Sequence, residues 1–154
     1  MGRACDMAGQ LVFTYLTAHH QQKWLSLWQD YLEFYKADVD DVVTQTLWQR
    51  ILTKDIHGFG VFQDNELIAF AHCVIHPNTW HTLPVCYLED LFVAHHVRRQ
   101  GVASFAIEQI YCLAKDNGWH RVYWVTDKDN HDAQRVYNKF ADTPEVILYR
   151  KVID

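Results

Sequence analysis

The chain is poor in the residues that break, staple or space a fold. It has three prolines and six glycines in 154 residues, all scattered, with no repeat or low-complexity tract. Nothing marks a linker, so residues 1–154 read as one domain, long enough to bury a substantial core. Its four cysteines, Cys5, Cys73, Cys86 and Cys112, stand far apart without a CxxC pair. A chain of this size needs no disulfide, so reduced thiols in a cytoplasmic setting are the expectation. No apolar run approaches a membrane span, and the start MGRACDMAGQ lacks an apolar leader core. A basic excess is missing as well: the net charge of −5 excludes a non-specific nucleic-acid binder. Ten histidines invite a metal site, but HExxH is absent; His19–His20 and His95–His96 are adjacent pairs, and His76 and His81 flank a Pro-Asn turn. No metal is expected.

What is present is apolar and aromatic. Hydrophobic residues make up 49% and aromatic residues 14%, with six tryptophans, so the core is built around large rings. LVFTYL at 11–16 reads as a short strand. In HHQQKWLSLWQDYLEFYK, Trp24, Trp28, Tyr31 and Tyr35 recur at three- and four-residue spacing, with Leu25 and Leu32 beside them, which predicts a helix. A second helix follows, with Val39, Val42, Val43, Thr46, Leu47 and Ile51 on one face. Asp38, Asp40 and Asp41 load its positive end.

GFGVFQ, the polar turn DNE and LIAFAHCVI read as a hairpin whose turn geometry is open, since it is not an Asn-Gly type. VCYLEDLFV is the next strand. Val102, Ala103, Ala106, Ile107, Ile110, Leu113 and Ala114 mark a helix stopped by Asn117-Gly118. RVYWVT is a strand, DKDNHDAQRVYNKF a helix capped by Asp129 or Asn130, and EVILYRKV a closing strand. The order β-α-α-β-β-β-α-β-α-β has one obligatory parallel crossover, between residues 85 and 126, so the fold class is α/β with a mixed sheet.

The chemistry concentrates in YLEDLFVAHHVRRQGVA, residues 87–103. A glycine at a helix start removes the Cβ that would keep an anion from the backbone. The first-turn amides have no intrahelical partner and carry partial positive charge, so they suit a phosphate. Arg98 and Arg99 add charge at the rim. Neither GxxxxGK[ST] nor GxGxxG is present, and alone the turn also fits a plain strand-to-helix connection with solvated arginines.

Arg98-x-x-Gly101-x-Ala103 after LEDLFVAHHV resembles the acyl-coenzyme-A motif of the GNAT superfamily of N-acetyltransferases, Arg/Gln-x-x-Gly-x-Gly/Ala. His95 stands where the family usually has proline. A second element agrees. Asn130, Ala133 and Tyr137 lie at i, i+3 and i+7, on one helix face, and resemble the family's N-x-x-A-x-x-x-Y helix. The family's Gly-Phe or Gly-Ala after this tyrosine is replaced by NKFAD. The resemblance implies the GNAT fold, with a splayed parallel pair of central strands. It implies acetyl-coenzyme A as co-substrate, held by Leu91, Phe92, Val93, Arg98, Arg99, Gln100, Gly101, Val102, Ala103, Ser104, Asn130, Ala133 and Tyr137.

The implied reaction moves an acetyl group from the thioester to a primary amine. Backbone N–H groups near Leu91 would polarise the carbonyl, and Tyr137 would serve as acid toward the leaving thiolate. An alkylammonium of pKa about 10.4 must lose a proton first, and Glu89 is the candidate base, through a water. By alternation Glu89 shares a face with Tyr87 and Leu91, and Asp90 with Leu88 and Phe92. A salt-bridged strand acid is the plainer account of each, and the better one for Asp90.

Glu33, Tyr35, Glu89 and Asp90 are the candidates to meet the acceptor, although the aromatic stripe of the first helix reads as core. YLEDLFV with WLSLWQDYLEFY resembles the polyamine, diamine and histone-tail branch of the family, which implies a small cationic amine. Acetylation of an amino acid or a peptide amine is the alternative, and a non-catalytic acyl-coenzyme-A sensor is another. The partners expected are a small-molecule amine and, as among similar proteins, a second copy in a homodimer; no nucleic acid or membrane is expected.

Overall fold

Helix ends and hairpin turns fall where the sequence places its stop signals. The computed structural model describes residues 10–154. In chain order these form β1 Val12–Tyr15, α1 Gln21–Phe34, α2 Asp41–Thr53, β2 His57–Gln63, β3 Glu66–His76, β4 Val85–Val93, α3 Val102–Asn117, β5 Val122–Tyr123 and α4 His131–Tyr137. Short 3-10 turns at Ala18–His20 and His95–Val97 lead into α1 and α3. Gly118 closes α3 with φ 68° and its N–H on the Ala114 and Lys115 carbonyls, as the Asn-Gly signal predicts. Asn130 caps α4 by accepting from the Ala133 N–H at 3.3 Å.

The five strands lie in the order β1-β2-β3-β4-β5. All neighbours are antiparallel except β4 and β5, so the sheet is mixed, as expected. One buried cluster joins α1 and α2 to the sheet through Trp24, Leu27, Trp28, Trp48, Ile51 and Phe70. The second lies on α3, through Ile107 and Ile110 against Cys86 and Leu88, with Val136, Tyr137 and Phe140 packed on it. No helix among the described residues is long and apolar enough to cross a membrane. Cys5 and most of the MGRACDMAGQ start lie outside the described residues; Cys73, Cys86 and Cys112 carry no disulfide.

Five details differ from the sequence expectation. The β2–β3 turn is closed, because Asp64 and Asn65 both take left-handed φ, 51° and 63°, which is the tight two-residue hairpin turn. In α2 the buried face is Trp48 and Ile51, flanked by the half-buried Thr44 and Leu47; Val42 and Val43 point to solvent. Trp28 fixes this phase by donating its indole N–H to the Thr44 hydroxyl at 3.1 Å.

β5 shrinks to Val122–Tyr123, pairing only Cys86↔Val122 and Tyr87↔Tyr123. Its shortness leaves little edge for a further strand, and 145–152 forms none; Val146, Ile147, Leu148 and Tyr149 are exposed. The fifth difference lies in β4. His72 pairs with Asp90 and Cys73 with Leu88, so Glu89 is an extra residue, a β-bulge. The slip breaks strict alternation: Leu88 packs in the α3-side cluster and Phe92 in the α1-side cluster.

Candidate active site

β4 runs past the end of β5, and beyond Tyr87 no strand among the described residues pairs with that edge. Two cavities open at this divergence. The first, of about 550 Å³, lies between the end of β4, the turn into α3, and α4. Leu91, Phe92, Val93, Arg98, Arg99, Gly101, Val102, Ala103, Ser104, Asn130, Ala133 and Tyr137 line it, together with Phe34, Tyr35 and Val136. Of the predicted coenzyme residues only Gln100 does not line it; Gln100 is exposed on the outside of the turn.

The turn is built for a close approach to backbone. Gly101 sits at the N-terminal cap of α3 with φ 79°, a conformation that strains any residue with a Cβ. A Cβ there would meet no atom of the chain within 4 Å; the space it would enter is the cavity side of the helix end. Arg98 is tied into the turn and to two rings. Its Nε donates to the Val93 carbonyl at 3.2 Å, and its guanidinium lies 5.2 Å and 5.3 Å from the Phe34 and Phe92 ring centres. It braces the turn and keeps its terminal nitrogens for an anion. Asp132 and Arg135, which sequence reasoning missed, pair with each other at this cavity's edge.

The second cavity, about 530 Å³, is lined by Tyr31, Tyr35, Leu88, Glu89, Leu91, Trp124, Asp127, Tyr137, Leu148 and Arg150, among others. Tyr35, Leu91 and Tyr137 line both cavities and so mark their junction. Burial, and secondarily Tyr35, pushes the Tyr137 phenol up to about 12. It therefore carries its proton throughout the neutral range. The Glu89 carboxyl is raised above the usual carboxylate range, by burial first and by the neighbouring Asp90 second. A carboxylate raised in this way, at a cavity wall, holds a proton more readily than an ordinary one and can serve as a proton acceptor.

Asp90 does not line the second cavity; it stands behind Tyr31. The Tyr31 hydroxyl donates to Asp90 Oδ1 at 2.6 Å. His72 Nδ1 lies 2.9 Å from Asp90 Oδ2, and the Trp24 indole N–H donates to His72 Nε2 at 3.0 Å. His72 is 1% exposed, the one buried polar residue among the described residues. Asp90 is thus a partnered strand acid, held by Tyr31 and His72, and it lines neither cavity. Glu33 is exposed and lines neither cavity, because it lies two residues from Tyr31 and from Tyr35, on another side of the helix. Tyr31, His72 and Trp24 were read as core or not at all. The usable signal was the lone histidine in LIAFAHCVI, a polar group that the apolar strand must satisfy.

Chemically, the first cavity offers anion-binding amides, arginine and an apolar trough. The second offers carboxylates, and the junction offers a protonated phenol and an unpaired strand edge. A long anionic donor and a cationic acceptor could meet at the junction. Among the described residues no cluster of three or more His, Cys, Asp or Glu could hold a metal ion.

The sequence model described as "Acetyltransferase (GNAT) family" matches residues 21–141. D-amino-acid N-acetyltransferase HPA3 of Saccharomyces cerevisiae is 33% identical over 135 residues, 85% of this chain and 84% of that one. An aminoglycoside N(6')-acetyltransferase type 1 of Serratia marcescens is 35% identical over 95 residues, 58% of this chain and 65% of that one. A solved structure described as a probable acetyltransferase superposes with a TM-score of 0.82 at 25% identity, covering 94% of this chain and 98% of that one.

Proposed function

The chain belongs to the acetyltransferase (GNAT) family, and on that premise we propose that its acceptor is a small cationic primary amine of the polyamine kind. Acetyl-coenzyme-A-dependent N-acetyl transfer is the activity; the acceptor class is the inference. The observation that carries it is the second cavity, which Glu89 and Asp127 line and which meets the first at Tyr35, Leu91 and Tyr137. Two carboxylates favour an ammonium over a neutral or anionic acceptor.

In this reading the coenzyme pyrophosphate lies against the Arg98–Ser104 turn. The thioester reaches the Leu91 edge, where backbone N–H groups polarise its carbonyl. Glu89, through a water, takes the proton of the ammonium; the neutral amine attacks, the C–S bond breaks, and Tyr137 stabilises the departing thiolate.

A second reading, an amino-acid acceptor, is favoured by Arg150, which lines the same cavity and could meet a carboxylate. The relative named for D-amino acids supports it. A free-thiol release assay with acetyl-coenzyme A against polyamines, diamines, D- and L-amino acids and peptides decides. The first reading expects polyamines or diamines to lead the panel; amino acids leading would replace it with the second. Tight coenzyme binding without turnover of any amine would mean a sensor.

A homodimer in a reducing, cytoplasmic setting belongs to the same proposal. Exposed Val146, Ile147, Leu148, Tyr149, Val152 and Ile153 form an apolar run that a second copy would cover. Sedimentation should give a dimer for the full chain and a monomer after truncation at Thr143; a monomeric full chain would refute it.

A further inference from the structure

The buried polar chain behind the second cavity has a fixed direction, and the direction reaches a cavity wall. An indole N–H can only donate, so Trp24 makes His72 Nε2 an acceptor. The ring hydrogen of His72 is therefore on Nδ1, which donates to Asp90 Oδ2. A second proton on Nε2 would set two donors against each other in a dry core. Asp90 accepts again, on Oδ1, from the Tyr31 hydroxyl. The phenol has one hydrogen, and Asp90 takes it. Toward any other partner the Tyr31 oxygen can accept but cannot donate.

We propose that Tyr31 is a second group, beside Glu89, that receives the N–H of the acceptor amine, and that Asp90, oriented by His72 and Trp24, is the positioning residue that gives Tyr31 this polarity. The inference rests on the reading of the second cavity as the amine site. Tyr31 and Glu89 line that cavity together. Tyr31 is held by rings on several sides, Trp28 at 5.4 Å, Phe70 and Phe92 at 5.7 Å and Tyr35 at 4.9 Å, so its oxygen has little freedom to move. Burial, the Asp90 charge and its hydrogen bond raise the Tyr31 phenol far above its ordinary value, which keeps it a neutral hydroxyl. An amine that loses its proton to Glu89 keeps N–H groups to donate, and Tyr31 can orient its lone pair toward the thioester.

The arrangement makes an unusual prediction for Asp90→Asn. The amide has one accepting oxygen and one donating NH2. His72 Nδ1–H, locked by Trp24, demands the oxygen, so the NH2 must face Tyr31. The phenol oxygen then accepts from Asn, and its hydrogen turns outward, where it opposes an ammonium or amine N–H. With the amine that leads the acceptor panel, Asp90→Asn should raise the amine KM at least tenfold and leave the acetyl-coenzyme A KM within twofold. In a Tyr31→Phe background the same substitution should raise the amine KM no further. A full Asp90→Asn effect persisting in that background would overturn the proposal, because Asp90 would then act by its own charge or on the fold.

Should Asp90→Asn fail to fold, Tyr31→Phe decides alone: a raised amine KM supports the proposal, and an unchanged one overturns it. Nitrogen-15 spectra of histidine-labelled protein give an independent check, with the His72 proton expected on Nδ1; a proton on Nε2 overturns the direction of the chain. A silent acceptor panel removes the amine reading, and this inference with it. An active panel without a Tyr31 effect removes this inference alone.

Discussion

Replacing Tyr137 by Phe removes one oxygen at the junction of the two cavities and little else. The ring is held by Trp124, edge-on at 5.4 Å, and by the α3-side core, so the Phe ring keeps its place. What is lost is a hydrogen bond to the departing sulfur. The phenol is pushed up to about 12, against roughly 8.5 for an ordinary thiol. Full proton transfer to the thiolate would then be uphill by on the order of 5 kcal/mol. The hydroxyl therefore acts by donating to a growing negative charge, an interaction worth about 1.5–3 kcal/mol. That corresponds to a loss of about ten- to one-hundred-and-fifty-fold in kcat. Because the interaction exists only as the bond breaks, kcat and kcat/KM for acetyl-coenzyme A should fall together. Thiol release at saturating amine measures the first, and calorimetric titration should show coenzyme Kd unchanged. Turnover within twofold of the parent would refute the assignment of Tyr137. The pH profile adds a sign test: a phenol that keeps its proton to about 12 contributes no loss of activity below that pH. A basic limb near pH 10 that disappears in Tyr137→Phe would also refute it.

Glu89→Gln should lower kcat/KM for the amine by about two orders of magnitude and remove the acidic limb of the profile. As a base Glu89 works only unprotonated, and its carboxyl is raised, so activity falls as pH drops through a value above the usual carboxylate range. The linkage runs the other way for stability: a folded-state pKa above the unfolded one favours folding at low pH and loses that contribution as pH rises. Glu89→Gln should therefore hold or raise the melting temperature at pH 7; a marked drop would mean that the carboxylate is structural. Gly101→Glu should abolish coenzyme binding, since it adds strain at φ 79°, bulk in the first cavity and negative charge at the helix start. Unchanged affinity by calorimetry would remove the turn from the binding site.

Most of the fold follows from local signals. The stop at Asn117-Gly118, the Asn130 cap and the i, i+3, i+7 face of α4 depend on neighbours within two turns, and the structure has them where the spacing puts them. The first cavity was legible for the same reason: the turn and the α4 face that line it are each one contiguous segment. The second cavity was not. Tyr31 and Asp90 lie 59 residues apart, and Trp24 and His72 48 apart; no periodicity links them. α2 was misphased because its valines suggested a buried face, whereas the hydrogen bond from Trp28 to Thr44 and the burial of Trp48 fix its roll. The closing strand was expected from side-chain pattern alone, yet a strand also needs an edge, and β5 offers two paired residues.

The bulge at Glu89 resolves what strict alternation could not. Leu88 and Phe92 are both buried, at 3% and 4%, yet they lie in clusters on opposite faces of the sheet. Residues four apart on a regular strand share a face, so one extra residue must intervene between them. The ladder skips Glu89. The skipped residue cannot be apolar without exposing it, and it lies beside the edge of β4 that β5 leaves unpaired, where disruption of pairing costs least. The same slip turns Asp90 toward α1, where Tyr31 of α1 and His72 of β3 partner it. One inserted position thus separates Leu88 from Asp90 and Phe92: Leu88 joins the α3-side core, Glu89 stays at the second cavity, and Asp90 lies among the groups that orient Tyr31.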